Sequence, residues 1–339
     1  MLALHRLLDH RAPQFRPVFD CVSFTKMNHI LAITGGSGFL GRHLIAECIK
    51  QNSFCLRLLT RDRSRFHDLS NNVTTICEGD LLQLASLRNF LKPDITIIHL
   101  AYINNNEAAN IRATLNLVHV AKQLNVKRVV HCSTAVVIGF KAKGVVTEST
   151  VPQPRGDYQK TKYRIEEILR EQLPPGIELA ILRPAEIVGP GGMGLQSMIQ
   201  RLRYDGSLKN FIYHFILKSR RFNYVSVYNV ASALILLATT PIKQMGEIYN
   251  ISDDDDADNN YESVEKIINS HLEYKHEHHV DIELPQSCLS LLFKLLPNHS
   301  PPNRVYSYSK ISALGYRKVI SLRAAISNLV LSEMNNENP

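Results

Sequence analysis

The chain has 339 residues, of which 45% are hydrophobic and 21% are charged, values that are ordinary for a globular protein with a substantial core. Its net charge of +8 suits a polyanionic ligand such as a nucleotide. The basic residues are scattered instead of clustered with aromatic ones, which argues against a nucleic-acid-binding protein. No apolar stretch reaches the ~20 residues needed to span a bilayer, so no transmembrane segment is expected.

The six cysteines show no spacing typical of a metal site or a disulfide framework. There is no C-x-x-C pair, and no cysteine has a histidine at ligand spacing. We interpret them as buried thiols in a reducing compartment, and we expect a cytoplasmic protein without a metal. Residues 1–26 contain charges and two prolines but no apolar core, unlike a signal peptide. We expect them to be a disordered extension, with the natural start at Met27.

The first ordered region predicts a strand, a glycine turn and a helix in direct succession. Ile30–Ile33 is a short apolar run, and residues 42–50 have helical spacing. Between them, Gly35, Gly38 and Gly41 form a G-x-x-G-x-x-G pattern. In dinucleotide-binding proteins such glycines permit a tight turn, close approach of the backbone to the pyrophosphate, and close packing of helix on strand. The helix N-terminus favours phosphate. A plain strand-to-helix turn is the alternative interpretation.

Downstream, apolar strand-like runs alternate with helical segments. The predicted strands are residues 55–60, 73–77, 95–101, 128–134 and 178–182, and the predicted helices are residues 84–90, 108–124 and 158–172. Such alternation predicts βαβ units and a parallel sheet, and the continuous apolar strands predict helices on both of its faces. The fold class is therefore α/β, a doubly wound parallel sheet with a smaller C-terminal subdomain.

Beyond about residue 190 this alternation becomes less regular. We expect further helices at residues 193–204 and 230–238, and strands at residues 222–227 and 247–252. The acidic run Asp253–Asp256 is interpreted as a solvated loop instead of a metal site, because adjacent carboxylates rarely converge without a fixed turn. Leu289–Leu296 is apolar but short, which favours a packed C-terminal helix.

Tyr158 and Lys162 form a Tyr-x-x-x-Lys pair on one face of a predicted helix. A free tyrosine titrates at about 10, so it can act as a base at neutral pH only if a neighbouring cation lowers its pKa. Ser133 and Thr134 come at the carboxyl end of a predicted strand, where ligands bind in such sheets. A surface Tyr/Lys pair and a hydroxyl that caps the strand are the alternatives. On the same helix, Glu166 is predicted to face solvent.

Together these features resemble an extended short-chain dehydrogenase/reductase of the NAD-dependent epimerase/dehydratase family, from Met27 to Ala325. Besides the glycine turn and the Tyr/Lys pair, the matching motifs are Gly79-Asp80-Leu81, His99-Leu100-Ala101, Asn116, Ser133-Thr134-Ala135-x-x-x-Gly139, Arg183-Pro184 and Val188-Gly189-Pro190-Gly191. The resemblance implies an NAD(P)-binding Rossmann domain at residues 27–185 plus part of 222–252. It also implies a substrate-binding subdomain at residues 186–221 and 253–330, and a tail at residues 331–339.

The resemblance implies a role for each matched residue. Thr134 would supply the catalytic hydroxyl, and Tyr158 would be the acid/base and would also contact the cofactor. Lys162 would bind the ribose and lower the pKa of the tyrosine. The cofactor would also contact Gly35, Gly36, Ser37, Gly38, Phe39, Leu40, Gly41, Arg61, Asp80, Leu81, Leu100, Ala101, Tyr102, Asn116, Ser133, Pro184, Ile187 and Val188. The substrate would contact Thr134, Ala135 and Arg221. Many relatives carry Asp where this chain has Asn229, which leaves the role of that position open.

The cofactor preference is predicted from the end of the second strand. There, Thr60 is followed by Arg61 and Asp62. An acidic residue at this point binds the ribose 2′-hydroxyl of NAD, whereas an arginine accommodates the 2′-phosphate of NADP. We expect NADP(H) to be preferred. Asp62 keeps NAD as an alternative cofactor. A second alternative is that this stretch is only a basic loop without a role in cofactor choice.

The residues that follow Thr134 narrow the reaction class. By the resemblance, a dehydratase would carry an Asp-Glu pair there, but this chain has Ala135 and Val136. We therefore expect oxidoreduction, or epimerisation by transient oxidation, of a nucleotide-linked sugar. The net positive charge favours this substrate, and so does the resemblance of residues 306–316 to enzymes that act on nucleotide-linked sugars. The alternatives are a 3β-hydroxysteroid-type dehydrogenase or other carbonyl reductase, and a non-catalytic NAD(P)-binding regulator. Dimerisation of relatives through the helices of Asn116 and Tyr158 implies a homodimer.

Overall fold

A computed structural model describes residues 29–67, 69, 74–139, 142–218, 220–242, 246–272 and 303–337. The predicted N-terminal extension at residues 1–26, the start at Met27 and the predicted helix Leu289–Leu296 lie outside the described residues. So do Cys21 and Cys288, whereas Cys48, Cys55, Cys77 and Cys132 are described and unpaired.

A parallel sheet forms the centre of the fold. The strands, in chain order, are β1 (His29–Thr34), β2 (Phe54–Thr60), β3 (Thr74–Glu78), β4 (Thr96–His99), β5 (Arg128–Cys132), β6 (Val145–Val146), β7 (Glu178–Pro184), β8 (Glu186–Val188), β9 (Tyr224–Ser226), β10 (Glu247–Ile251) and β11 (Val305–Tyr306). Seven of them pair in the order β10-β7-β5-β4-β1-β2-β3, every pair parallel. This confirms the predicted fold class.

Some helices cover the sheet, and others build the C-terminal lobe, which comprises residues 186–226, 252–272 and 303–337. In chain order they are α1 (Phe39–Gln51), α2 (Leu84–Phe90), α3 (Glu107–Gln123), α4 (Asp157–Gln172), α5 (Gln196–Tyr204), α6 (Ser207–Leu217), α7 (Val227–Thr239), α8 (Tyr261–His271), α9 (Ser309–Ala313) and α10 (Leu322–Glu337). The sequence did not predict α6, α8, α9 or α10. In the part of the chain that is described, no helix has both the length and the apolar character required to cross a membrane.

The core lies on both faces of the sheet, because successive side chains of a strand point to opposite sides. Leu31 and Ile33 of β1 pack with Leu44 of α1 in one apolar cluster. Ala32, between them, belongs to a second cluster that includes Leu117 of α3. This double coverage explains why the strands are apolar throughout instead of alternating.

The order of the strands creates a crevice at the carboxyl ends of β1 and β4. The chain builds outward from β1 through β2 to β3 and then returns to the other side of β1 as β4. Ligands of such sheets bind at this reversal of strand order. Thr34 ends β1 and His99 ends β4, and Thr34 Oγ1 lies 2.8 Å from His99 Nδ1. The two strand ends are therefore fixed to each other at the crevice.

The acidic run is not simply a solvated loop, and that prediction is wrong for its first two residues. The exposed fractions of Asp253 and Asp254 are 0% and 3%. Asp253 accepts hydrogen bonds from the N–H of Ser226 at 2.8 Å and from the side-chain amide of Asn229 at 3.1 Å. Asp254 accepts one from the N–H of Tyr306 at 2.6 Å. The partners that compensate these buried carboxylates come from distant parts of the sequence, so a local pattern could not reveal them.

The same network gives a structural role to Asn229. Its amide also donates to the carbonyl of Ile320 at 3.0 Å, and its oxygen accepts from the N–H of Val319 at 2.9 Å. Asn229 therefore joins α7 to the acidic segment and to the chain that leads into α10. An amide can donate to Asp253 and accept from the backbone at once, which a carboxylate cannot.

Candidate active site

The glycine turn brings the backbone of β1 against that of β4. Gly38 donates its N–H to the carbonyl of Gly35 at 3.1 Å, and Gly35 has a φ of +74°. A Cβ on Gly35 would lie 2.7 Å from the nitrogen of Ala101, and one on Gly41 would overlap the carbonyl of Gly35. Both positions therefore require glycine. Gly36 faces the core instead, where a Cβ would lie 3.0 Å from Ile45.

A cavity of about 320 Å³ opens from this turn along the carboxyl ends of β1, β2 and β4. It is lined by nine of the predicted cofactor residues, namely Gly35, Ser37, Gly38, Arg61, Asp80, Leu81, Leu100, Ala101 and Tyr102. Asp62, Arg65 and Ile103 also line it, and of these neither Arg65 nor Ile103 was predicted. The glycine turn at one end of the cavity fits the pyrophosphate of a dinucleotide.

The loop after β2 holds its acidic residue in a local cap. Asp62 accepts hydrogen bonds from the N–H and hydroxyl of Ser64 at 3.0 and 2.6 Å, and forms an ion pair with Arg65 at 3.5 Å. These hydrogen bonds, with Ser64 first among the causes, lower the pKa of Asp62. The carboxylate is thus engaged by its own loop, while Arg61 is exposed at the rim of the cavity.

Polar contacts fix the loop that follows β3, at Asp80 and Leu81. Asp80 accepts the N–H of Leu82 at 2.9 Å, and the side-chain amide of Asn116 donates to the carbonyl of Leu81 at 3.1 Å. Asn116 does not line the cavity. Within this structure it braces the residues that do.

The predicted catalytic residues lie at the end of β5 and on α4, beside this cavity. The Thr134 hydroxyl accepts the N–H of Val136 at 3.4 Å and so caps a short helical turn. A further hydrogen bond joins the side chains of Thr134 and Tyr158. Tyr158 is 46% exposed, whereas Lys162 is 4% exposed and donates to the carbonyl of Cys132 at 3.0 Å. The alternative of a surface Tyr/Lys pair is therefore wrong for Lys162.

Tyr158 does not have a lowered pKa in the free protein. Burial raises the pKa of Tyr158 to about 12, and the hydrogen bond with Thr134 opposes this shift. Burial also lowers the pKa of Lys162. The ammonium of Lys162 is directed at the carbonyl of Cys132 and at the ring of Tyr102, whose centroid lies 5.0 Å away. Lys162 is not among the groups that shift the pKa of Tyr158 in this arrangement, so the lowering of that pKa by the lysine stays a prediction for the protein with its cofactor.

Tyr102 contacts both members of the pair. Its ring lies 5.1 Å from the ring of Tyr158, in an edge-to-face arrangement. Its side chain also forms a hydrogen bond with Thr161, and burial raises its pKa. Tyr102 thus links the dinucleotide cavity, which it lines, to the residues of α4. The sequence placed Tyr102 in the cofactor site but gave no signal of these contacts.

A buried ion pair supports the end of β5 from behind. Glu166 is bound by Arg183 through Nε at 3.0 Å and through Nη2 at 2.5 Å, and it accepts the hydroxyl of Ser133. Its exposed fraction is 1%, so the prediction that Glu166 faces solvent is wrong. Glu166 follows Lys162 by four residues, and the spacing that relates Tyr158 to Lys162 also places Glu166 on that inner face.

Two buried histidines lie on the adjacent strands. The ring centroids of His99 and His131 are 5.3 Å apart, and the exposed fractions of the two residues are 2% and 0%. Burial, assisted by the charge of Lys162, lowers the pKa of His99 to about 3 and that of His131 well below its usual value. Both rings are therefore neutral at pH 7.

The remaining predicted residues do not line the cavity. The loop after Val188 packs on Phe39, where a Cβ on Gly192 would lie 2.7 Å from the ring, and His43 binds the carbonyl of Pro190 at 2.9 Å. Arg221 donates to the carbonyl of Asp254 at 3.3 Å, within the C-terminal lobe. Further positions are set by secondary structure: Leu40 lies in α1, Pro184 ends β7, Ile187 lies in β8 and Ala135 begins the turn capped by Thr134.

The fold and the cleft define a Rossmann-type α/β protein of the extended short-chain dehydrogenase/reductase class. A sequence profile of the NAD-dependent epimerase/dehydratase family matches residues 31–252, and the chain belongs to this family. The resemblance seen in the sequence is thereby confirmed.

Relatives of known activity are similar over part of their length. The decarboxylating sterol-4-alpha-carboxylate 3-dehydrogenase of Candida albicans is 30% identical over 226 residues, which cover 61% of this chain and 63% of the relative. The GDP-6-deoxy-D-talose 4-dehydrogenase of Aggregatibacter actinomycetemcomitans is 31% identical over 175 residues, covering 48% and 54%. These matches thus span less than two thirds of either relative. The UDP-glucuronic acid 4-epimerase of Bacillus cereus, solved with NAD, has a TM-score of 0.67 and 18% identity, over 91% of this chain and 99% of that one, which shows a shared fold.

Proposed function

We propose that this protein is an NAD(P)-dependent oxidoreductase that interconverts a secondary hydroxyl group and a ketone. The observation that carries the proposal is the position of Thr134, Tyr158 and Lys162 beside the cavity of the glycine turn. Tyr102 lines that cavity and contacts both Tyr158 and Lys162. All three members of the set are present, which disfavours a non-catalytic NAD(P)-binding regulator.

In the proposed reaction, Thr134 donates a hydrogen bond to the substrate oxygen. Tyr158 gives a proton to that oxygen during reduction and takes one during oxidation, a form of general acid–base catalysis. Lys162 binds the ribose of the cofactor and lowers the pKa of the tyrosine. The nicotinamide, when bound, accepts or supplies the hydride. Ser133 positions the end of β5 through its hydrogen bond to the buried Glu166.

We propose NADP(H) as the preferred cofactor, with NAD(H) as the alternative. Arg61 and Arg65 both line the end of the cavity where a ribose 2′-phosphate would lie. Asp62, which would favour NAD, is occupied by Ser64 and Arg65. Two arginines beside a locally satisfied carboxylate support the phosphate-bearing cofactor.

For the substrate, we propose an apolar secondary alcohol or ketone of the sterol type. The longer of the two matches to relatives of known activity is to a sterol 3-dehydrogenase. The arginine expected to meet a substrate phosphate, Arg221, is engaged by the carbonyl of Asp254. A nucleotide-linked sugar, the substrate expected from the sequence, is the second candidate. It is supported by the similarity to a GDP-deoxysugar dehydrogenase.

A homodimer through α3 and α4 belongs to the same proposal. Leu115 of α3 is 45% exposed in the single chain. A dimer interface on α3 would cover this apolar side chain. Light scattering at two concentrations would test it. Leu115→Asp would then yield a monomer.

A cofactor and substrate panel tests the proposed function. The purified protein is first denatured, and any released nucleotide is identified by mass spectrometry. Absorbance at 340 nm is then followed with NADP⁺ or NAD⁺ and either 3β-hydroxysteroids or nucleotide-linked sugars, with Tyr158→Phe as the inactive control. Turnover of hydroxysteroids supports the leading substrate, and turnover of sugars supports the second. Tightly held NAD that survives purification would instead favour an epimerase, which retains its hydride for the return step.

A further inference from the structure

The Tyr102 ring contacts the ammonium of Lys162, which is the cation that the proposed reaction requires. The ammonium of Lys162 lies 5.0 Å from the centroid of the Tyr102 ring, within the range of a cation–π interaction. Its hydrogen bond to the carbonyl of Cys132 holds it from the other side. In the proposed reaction, the same ammonium must bind ribose hydroxyls and act on Tyr158. The free protein therefore holds Lys162 in an arrangement that differs from the one the chemistry needs.

Tyr102 also restrains the second member of the pair. Its edge-to-face contact with Tyr158 at 5.1 Å is of the kind that stabilises aromatic pairs beyond simple burial. One side chain thus contacts both members of the proposed catalytic pair on α4, Tyr158 and Lys162.

The same side chain lines the cavity in which the cofactor is proposed to bind. It follows Ala101, whose backbone forms the floor of the crevice against Gly35. A ligand that enters from the glycine turn toward Lys162 therefore meets the Tyr102 ring. Binding of ribose at Lys162 and retention of the ring on Lys162 compete for one ammonium.

We propose that Tyr102 is a positioning residue that holds Lys162 and Tyr158 in a resting arrangement, and that the bound cofactor displaces its ring from Lys162. This inference rests on the proposed function, because it assumes that a nicotinamide cofactor occupies the cavity. Burial, with smaller contributions from Cys132 and Tyr102, raises the pKa of Tyr158 in the free protein, and Lys162 does not oppose this shift. Displacement of the ring frees the ammonium to bind ribose and to favour the phenolate.

Cofactor binding to two variants at Tyr102 tests the inference. Tyr102→Ala removes the competing ring, so NADPH should bind about tenfold more tightly than to the wild type, as expected for the loss of one cation–π and one aromatic contact. Tyr102→Phe keeps the ring and should bind within about twofold of the wild type, because the cation–π contact needs no hydroxyl. The KM for the cofactor should fall in Tyr102→Ala without a rise in kcat.

Tyr308 provides a matched control outside the site. Its ring also carries an ammonium, that of Lys318 at 5.1 Å, and meets Tyr316 edge-to-face. Tyr308→Ala should leave the affinity for NADPH unchanged. For the wild-type protein, ¹⁹F NMR of 3-fluorotyrosine gives a measurement that does not depend on the folding of a variant. The Tyr102 signal, assigned by its absence in Tyr102→Phe, should shift on addition of NADPH.

The possible results separate this inference from the proposed function. If the wild type binds NADPH but Tyr102→Ala binds equally or more weakly, or the Tyr102 signal does not move, the displacement is wrong and the proposed function stands. If the wild type binds neither NADPH nor NADH, both fall together. Tighter binding to Tyr102→Ala alone, with the Tyr102→Phe and Tyr308→Ala variants near the wild type, supports the inference.

Discussion

In the nucleotide cleft, the closest contacts are made by backbone, whereas in the C-terminal lobe they are made by buried polar side chains. A Cβ on Gly35 would lie 2.7 Å from the nitrogen of Ala101, so the turn admits no side chain. In the lobe, Asp253 is fully buried and is compensated by Ser226, Asn229 and the ammonium of Lys318 at 3.3 Å. A cleft built from glycine depends on residues that are close in sequence. A lobe built from buried charge depends on partners that are far apart.

The shape of the cleft follows from a short sequence motif, whereas the structure of the lobe depends on specific pairs of side chains. The spacing of three glycines dictates the shape of the cleft wherever it follows a buried strand. A buried carboxylate, in contrast, requires specific donors, and removal of one leaves a desolvated charge. The role of Asn229 follows from its contacts with Asp253, Val319 and Ile320. We therefore expect substitutions in the cleft to change turnover or cofactor binding, and substitutions in the lobe to change the free energy of unfolding.

The largest effect is expected at the catalytic edge of the cleft. Tyr158→Phe should lower kcat by about 10²–10⁴-fold, because a phenyl ring cannot exchange a proton with the substrate oxygen. Its affinity for the cofactor should change little. Tyr163→Phe, on the same helix, is the matched control and should keep full turnover. Full turnover by Tyr158→Phe would contradict the proposed mechanism.

The glycine turn gives the next effect. Gly41→Val would place side-chain atoms on the carbonyl of Gly35 and on Gly36, which must move apart. Saturable binding of NADPH should be lost, and the free energy of unfolding should fall by about 1–3 kcal/mol. Gly176→Val is the control, because a Cβ there meets no atom within 4 Å. Normal cofactor affinity in Gly41→Val would show that the turn does not hold the pyrophosphate.

The lobe is tested by Asn229→Asp, which would bring a second buried carboxylate against Asp253. We expect the free energy of unfolding to fall by about 2–4 kcal/mol in urea denaturation at neutral pH. Asn303→Asp, at an exposed residue, should change it little. Cofactor affinity of the folded Asn229→Asp variant should stay normal, because the defect lies in the lobe. Unchanged stability would mean that the network around Asp253 tolerates the added charge.

A smaller effect should sharpen the description of the cleft. Arg61→Ala should weaken NADPH by about tenfold and NADH hardly at all, since only NADPH carries the 2′-phosphate. Arg112→Ala, on the exposed side of α3, controls for a change in net charge. Isothermal titration with both cofactors would measure the difference. Equal weakening of the two would remove the argument for NADP(H).

The sequence predicted the sheet and the cleft because both follow from short-range patterns. The helix Leu84–Phe90 was predicted at its observed bounds, and the glycine turn lies where expected. Burial of Glu166 was missed because its partner Arg183 comes from β7, although the i+4 spacing from Lys162 was a usable signal. The acidic segment was misread because Asn229 and Tyr306 reach it only in the folded chain.

The contacts of Tyr102 could not be predicted for a different reason. The residue lies in a loop after β4, where neither helical nor strand periodicity fixes the direction of a side chain. Its position against Tyr158 and Lys162 follows from the packing of α4 beside the sheet. Such a contact becomes visible only when the elements are assembled.

The central claim is that one cleft joins a nicotinamide cofactor to the set Thr134, Tyr158 and Lys162. The most direct test is transfer of deuterium from NADPH labelled at nicotinamide C4, with separate samples for each face of the ring, to a panel of 3-ketosteroids and keto sugars. We expect a product that gains one deuterium from one face, with no label gained when Tyr158→Phe replaces the wild type. Reduced product without deuterium from either face, or equal labelling by Tyr158→Phe, would contradict it.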